Sequence, residues 1–390
     1  MIKSIKDLDL KGKRVFFRFD FNVPLDQSGA IKDDTRIRRA LPTIEYAMEH
    51  GAKCIFTSHL GRPKGERKAE MSLAPVAGRL QELLGTAVGF ADDCIGAQAE
   101  TAVANLKDGD AVLLENLRFH PGETKNDPDF ASQLASLADV YVNDAFGTAH
   151  RAHASTVGVP DLLKEKAAGF LMKEELENLE KALKNPQKPV VALFGGAKVS
   201  DKTELLKNLV NRMDTILIGG GMANTFLKAQ GSDVGASKTE EEMVNTAAEI
   251  LRDKKCTILL PVDVVVADRM EDGASTRTVT SDFIPSGQMA LDIGPKTVQD
   301  FSDEISRAGT IVWNGPMGVF EIDAFKNGTM KIAEAVASAS AFSLIGGGDT
   351  IRAIQQAGVA DKISYISTGG GAFMEFMEGK ILPGVAALEQ

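Results

Sequence analysis

Cysteine is scarce: Cys54, Cys94 and Cys256 are the only three in 390 residues. They are scattered, odd in number and without metal-like spacing, so neither a disulfide framework nor a zinc site is indicated, and each reads as a small buried apolar group. Basic charge is in deficit too. Lys and Arg total 44 against 54 Asp and Glu, a formal net charge of −10, which argues against a nucleic-acid or anionic-membrane partner because either needs a basic face. No apolar run approaches a membrane span, and Met1-Ile2-Lys3-Ser4-Ile5-Lys6-Asp7 has no apolar core of signal-peptide length, so a cytoplasmic protein is expected. Familiar nucleotide motifs are missing. There is no Gly-x-x-x-x-Gly-Lys-Ser/Thr loop, no Gly-x-Gly-x-x-Gly fingerprint, and neither His-Arg-Asp nor Asp-Phe-Gly, which excludes a Walker-type loop, the dinucleotide fingerprint and the protein-kinase set.

What is present is a globular composition, 44% hydrophobic and 25% charged, over a length that suits two domains, each with its own core. Short apolar runs recur at Val15–Phe19, Cys54–Thr57, Ala111–Leu114 and Val140–Val142, with helical patterns such as Thr35–Glu49 and Leu73–Leu84 between them. Alternating strands and helices predict βα units and a mostly parallel sheet. Ligands in such sheets bind beyond the carboxyl ends of the strands. Those ends carry Asp20, Asn22, His59, Arg62, Arg118 and Arg151, and Arg36 can reach the same edge from the following segment. Singly, each arginine reads as a solvated surface group. Together, four guanidinium groups and an imidazole would repel one another unless an anion sat between them, and the planar fork suits carboxylate or phosphate. His50 reads as an exposed helix end, and His120, His150 and His153 as hydrogen-bonding groups, leaving His59 as the histidine of this edge.

From Gly169 to Leu183, Met172, Leu176, Leu179 and Leu183 follow a four-three-four spacing with Lys and Glu on the other faces, stopped before Asn185-Pro186 and Pro189. This predicts a long amphipathic helix connecting two sets of βα units; the plainer alternative is one more helix of a single sheet. At the midpoint lies Val190-Val191-Ala192-Leu193-Phe194-Gly195-Gly196-Ala197-Lys198-Val199-Ser200-Asp201-Lys202. Five apolar residues read as a buried parallel strand, two glycines as a sharp turn, and Lys198 and Lys202 as two ammonium groups on one face of a helix start, a phosphate-binding arrangement. The plainer alternative is an ordinary βα turn with two solvated lysines.

The second half exchanges arginine for glycine at its strand ends. Runs at Thr215–Ile218, Ile258–Leu260, Ile311–Trp313, Phe342–Ile345 and Tyr365–Ile366 precede, among others, Gly219-Gly220-Gly221, Asn314-Gly315-Pro316 and Gly346-Gly347-Gly348-Asp349-Thr350. Open backbone there suits a flat ring and phosphate oxygens. Asp349 can hold magnesium or cap its helix, and Thr350 can cap or touch a phosphate.

Asp20-Phe-Asn-Val-Pro24, Ser58-His-Leu-Gly-Arg-Pro63, Glu115-Asn-Leu-Arg-Phe119, Gly195-Gly-Ala-Lys-Val-Ser-Asp-Lys202, Trp313-Asn-Gly-Pro-Met-Gly-Val-Phe-Glu321 and Gly346-Gly-Gly-Asp-Thr350 together resemble the phosphoglycerate kinase family, in the family's order and along the whole chain. The resemblance implies an α/β protein of two doubly wound, Rossmann-like lobes joined by a long helix, with a cleft between them. It implies a monomer with a triose-phosphate lobe over 1–168, a connecting helix and linker over 169–188, a nucleotide lobe over 189–372 and a segment over 373–390 returning to the first lobe.

By the same resemblance, Asp20, Phe21, Asn22, Arg36, His59, Leu60, Gly61, Arg62, Arg118 and Arg151 hold 3-phosphoglycerate or 1,3-bisphosphoglycerate. Gly195, Lys198, Lys202, Gly219, Gly220, Asn314, Pro316, Glu321, Gly347, Gly348, Asp349 and Thr350 hold ADP or ATP, with Asp349 on Mg2+. The implied reaction is reversible transfer of the acyl phosphate of 1,3-bisphosphoglycerate to ADP. Arg36, Lys198 and Lys202 are its candidate catalytic residues, and closure about the connector brings the substrates together. A catalytically silent phosphate-ligand-binding protein on the same fold is the alternative, and would be expected to lack Arg36, Lys198 or Asp349; all three are present. A nicotinamide-dependent oxidoreductase is disfavoured by the missing fingerprint.

Overall fold

A computed structural model describes residues 2–253 and 255–389; Met1 and Gln390, the outer ends of the expected first and last segments, fall outside these. The chain divides into two compact units, one comprising the described residues up to Leu176 together with those from Ile381 onward, the other Glu177–Lys380.

The first unit is built on six strands: β1 (Arg14–Arg18), β2 (Lys53–Thr57), β3 (Val88–Ala91), β4 (Ala111–Leu114), β5 (Val140–Asn143) and β6 (Glu165–Ala168). They form one sheet in the order β3-β4-β2-β1-β5-β6, every pair parallel. Strands β4 and β5 are buried at every position, the pattern of a sheet covered by helices on both faces. Strands β3 and β6 have no counterpart among the apolar runs of the sequence. Val88-Gly-Phe-Ala and Glu165-Lys-Ala-Ala offer too little β-branched or continuous apolar character to mark a strand.

The second unit contains β7 (Val190–Phe194), β8 (Thr215–Ile218), β9 (Thr257–Leu259), β10 (Asp263–Ala267), β11 (Arg277–Thr280), β12 (Met289–Ile293), β13 (Thr310–Asn314), β14 (Phe342–Ile345) and β15 (Tyr365–Ile366). Six of these make a second parallel sheet, β15-β14-β13-β7-β8-β9, with β7 and β13 at its centre. Its core gathers Leu193, Trp313, Met317, Phe301 and Ile345. The remaining three form an antiparallel sheet, β11-β10-β12, beside the expected parallel one. β10 is its central strand, it has its own small core of Val264, Val266, Leu227 and Ile284, and its polar strand Arg277-Thr-Val-Thr carries no buried-run signal.

The predicted connecting helix is Phe170–Leu183, shorter by one residue than the expected start. Its first turn is held by side chains of the first unit: Thr43 Oγ1 accepts from the Phe170 N–H at 2.9 Å, and Asp144 Oδ1 from the Met172 N–H at 2.9 Å. Both satisfy donors that a helix start leaves free. Gly169 is required there, since a Cβ would lie 2.3 Å from the Asp144 carboxyl.

Candidate functional site

In the first unit, the segment leaving β1 alternates. Phe17, Phe19 and Phe21 are buried and stack in sequence, with centroids 5.5 and 5.1 Å apart, which turns the intervening Arg18, Asp20 and Asn22 the other way. Phe21 therefore gives its ring to the core, and its N–H donates to Ser58 Oγ at 2.8 Å. Asn22 Oδ1 accepts from the Gly61 N–H at 2.9 Å, which fixes the amide and leaves its NH2 as the outward donor. Arg36 donates through Nη1 to Asp20 Oδ2 at 2.9 Å.

The structure adds a residue that sequence reasoning passed over. Arg18, fully buried, donates to Ser155 Oγ at 2.9 Å, to the Phe19 carbonyl and, through Nη2, to His59 Nδ1 at 3.2 Å. An arginine only donates, so His59 Nδ1 is the acceptor and its proton resides on Nε2. Burial, followed by the charges of Arg18, Arg118 and Arg36, holds His59 well below the usual imidazole range. The imidazole is thus a neutral donor, which corrects the picture of a fifth cation. Glu123 is buried beneath, accepting from the Ser155 N–H at 2.9 Å and Ser155 Oγ at 2.6 Å. A charged residue inside the β1 pattern was the available signal for Arg18; for Glu123 there was none.

Arg118 donates through Nη1 to the Gly61 carbonyl at 3.0 Å, while its Nε is buried with no partner. Burial and the neighbouring Arg18 lower it to about 10. An orphan donor on a half-buried cation is what an anion would satisfy. The Leu60 carbonyl accepts from Asn116 Nδ2 at 2.7 Å, and the Asn116 Oδ1 accepts from the Arg118 N–H at 3.0 Å, locking both loops. Gly61, with φ of 64°, has the Met71 sulfur where a Cβ would stand. Arg62 and Arg151 are exposed, the latter donating to His150 Nε2 at 3.1 Å. His153, expected to be a satisfied hydrogen-bonding group, is buried with Nδ1 making no hydrogen bond, 3.7 Å from Glu123 Oε1, and is pushed down to about 3 by burial and the nearby arginines.

In the second unit, the ends of β7 and β13 meet through backbone. The Gly195 N–H donates to the Asn314 carbonyl at 3.2 Å, the Gly196 N–H to the Pro316 carbonyl at 3.0 Å, and the Gly220 N–H to the Met317 carbonyl at 2.8 Å. Gly219 opens the helix Gly220–Ala229. A small pocket beside it is lined by Gly220, Ala223, Leu291 and Met317 among others.

Lys198 and Lys202 do not share a helix face. Two glycines carry the chain out in a loop that still includes Lys198, and helix begins only with the 3-10 turn Ser200–Lys202 and then Thr203–Leu209. Lys198 is exposed, whereas Lys202 is buried and donates at 2.7 Å to both the Gly195 and Asn314 carbonyls. That leaves one of its three donors for a ligand. Burial lowers Lys202 to about 7, against the opposing pull of Asp201 and Asp349.

Asn314 Nδ2 donates to the Gly346 carbonyl at 2.9 Å, and Thr350 Oγ1 accepts from the Gly315 N–H at 2.7 Å. Thr350 is therefore occupied with holding two loops together. The helix Gly348–Gln356 has no side-chain cap, so the capping alternative for Asp349 is wrong. Its carboxylate instead accepts from Arg352 at 2.8 Å, and the same Arg352 nitrogen reaches Glu321 at 3.1 Å. Arg352, an exposed residue three positions from Asp349, gave no sequence signal.

The comparisons agree with this geometry. The family model described as phosphoglycerate kinase matches residues 5–380. The chain is 58% identical to the phosphoglycerate kinase of Koribacter versatilis, covering 99% of this chain and 98% of that one. It is 56% identical to that of Moorella thermoacetica, with 99% of each covered. Among solved structures, phosphoglycerate kinase from Coxiella burnetii matches with a TM-score of 0.93 at 45% identity over 100% of this chain and 99% of that one. The enzyme from Pyrococcus horikoshii gives 0.84 at 35%, covering 100% and 98%. With an arginine edge in one unit, a glycine-walled edge in the other and full-length relatives on both measures, the chain belongs to the phosphoglycerate kinase family.

Proposed function

We propose that the chain transfers the acyl phosphate of 1,3-bisphosphoglycerate reversibly to MgADP, giving ATP and 3-phosphoglycerate, as a cytoplasmic monomer. The observation that carries this reading is the family match across residues 5–380. The geometry supports a division of labour. Arg118, with its orphan Nε, and the neutral His59 Nε2–H would bind the triose, together with Asn22, Arg36, Arg62 and Arg151. The glycine edges and Lys202 would bind the nucleotide phosphates.

An acyl phosphate is already activated, so the chain need supply neither a covalent nucleophile nor a strong base. An oxygen of the ADP β-phosphate attacks phosphorus in line, and protein cations offset charge on the moving group. Arg36 would serve the leaving carboxylate oxygen and the phosphoryl, and exposed Lys198 would guide that phosphoryl. Magnesium, when bound, neutralises nucleotide phosphate charge. Asp349 fits it, because one exposed carboxylate with waters and phosphates is the usual complement and Gly348 has nothing within 4 Å of a Cβ position. A coupled assay on purified protein tests the function. ATP formation that requires both ADP and 1,3-bisphosphoglycerate is expected, and binding of both without turnover would favour the silent alternative.

Asp349→Asn should weaken MgADP about tenfold or more, a ligand counting at least as much as an outer-shell partner, while thermal stability stays near wild type because the side chain is exposed. Calorimetric titration with unchanged MgADP affinity would remove Asp349 from the metal. Lys202 makes a second prediction. Lowered to about 7, it is mostly neutral at pH 8, and nucleotide phosphates beside it would restore its charge. Nucleotide binding at pH 8 should therefore take up close to one proton, read from binding enthalpy in buffers of different ionisation heat. Lys202→Met should abolish the uptake; uptake that persists would assign the proton elsewhere.

Reacting atoms must come within roughly 3–3.5 Å and water must be kept from the acyl phosphate, so we place a closure step about the Phe170–Leu183 helix. Each substrate alone contacts one unit and should bias closure only partly. Small-angle scattering should show the smallest radius of gyration in the ternary complex, and an unchanged radius would replace closure with a preformed site.

A further inference from the structure

Parallel pairing of β3 with β4 sets two loops side by side on the first unit. The loop after β3 carries Asp93 and Cys94, just before the helix Gly96–Ala104, and the turn after β4 carries His120, at the start of the helix Pro121–Lys125. The carboxylate, thiol and imidazole donor atoms lie within 4.8 Å of one another. His120 Nε2 is 2.7 Å from Asp93 Oδ1. Cys94 is 1% exposed, and its sulfur is one of the three clustered donor atoms. Nothing in the phosphoryl-transfer chemistry uses these residues.

We propose that Asp93, Cys94 and His120 form a three-donor site for a borderline-soft divalent cation of the zinc class. A tetrahedral ion with bonds of 2.0–2.3 Å needs donors about 3.3–3.6 Å apart, so small side-chain shifts from the observed spacing suffice. Nitrogen, sulfur and a single carboxylate are zinc ligands, whereas magnesium prefers an all-oxygen octahedron. Asp93 and His120 side chains are 38% and 28% exposed, which gives entry and a water for the fourth position. Binding replaces the Asp93–His120 hydrogen bond, leaves the neutral imidazole with its proton on Nδ1 and Nε2 free to ligate, and releases the Cys94 thiol proton to solvent, since thiolate is the ligand. Burial, with Asp93 adding to it, holds that thiol well above its ordinary value, so the metal must supply the driving force for deprotonation.

Cobalt(II) added to chelator-treated protein tests the proposal. One equivalent should produce tetrahedral d–d bands and a thiolate-to-cobalt charge-transfer band, and zinc should displace it. The band should survive in the Cys54→Ser/Cys256→Ser double variant and in excess magnesium, and vanish in Cys94→Ser. His120→Gln, at a partly exposed position, should keep the wild-type circular dichroism while losing about 100-fold or more in zinc affinity against a chromophoric chelator. Absence of the thiolate band, its persistence in Cys94→Ser, or unchanged zinc affinity in folded His120→Gln would overturn the site.

Discussion

Arg36→Ala lowers turnover by about 10² to 10³ while leaving the affinity for 3-phosphoglycerate within a few-fold. The guanidinium is held by one bond to Asp20 and is 37% exposed, so most of its five donors remain available. Removing a partly exposed ion pair changes stability little, and the fold should melt as wild type does. If the contact strengthens as charge moves onto the leaving carboxylate oxygen, the loss falls on kcat rather than on ground-state binding. Arg118→Ala should behave the other way, raising KM for the triose with a smaller change in kcat, because its orphan Nε belongs to ground-state anion binding. Steady-state kinetics in both directions separate the two, and wild-type turnover in Arg36→Ala would reject the assignment.

Gly195→Ala destabilises the second unit and disrupts nucleotide binding. Its φ is not in the left-handed region, so the objection is steric alone: a Cβ would stand 1.9 Å from the Pro316 carbonyl oxygen and 2.8 Å from that of Gly315. Both obstacles are backbone at the end of a central strand. Making room parts β7 from β13 where Lys202 joins the Gly195 and Asn314 carbonyls. Overpacking of rigid atoms costs about 3 kcal/mol, which corresponds to about 6–12 °C in the unfolding midpoint of a domain this size. Gly348→Ala is the control, since a Cβ there meets nothing within 4 Å, and calorimetry should find it close to wild type. Equal melting of the two variants would contradict the close approach.

The strands that line the sites were legible because each is a continuous apolar run ending in chemistry: Ala111–Leu114, Thr215–Ile218, Phe342–Ile345 and Tyr365–Ile366 fall where the pattern sets them. Strands β3, β6 and β11 were not, since partial burial and polar alternation leave no run to find; β10 is an apolar run, but nothing in it marks antiparallel pairing. Which residue types gather at the two edges was also readable, but their electrical state was not. The sequence suggests an imidazolium beside arginines, whereas burial against Arg18 makes His59 neutral. It suggests twin lysines, whereas the loop through Gly195 and Gly196 separates an exposed Lys198 from a buried Lys202. Such differences depend on what lies across the fold, and local spacing carries no record of that.

Direct passage of the phosphoryl group from triose to nucleotide is tested most sharply by stereochemistry at phosphorus. ATP made isotopically chiral at its γ-phosphorus, turned over with 3-phosphoglycerate, should deliver the phosphoryl group with inverted configuration, as one in-line displacement requires. Retention would mean an even number of displacements, hence a phosphorylated side chain on the enzyme, and would contradict direct transfer.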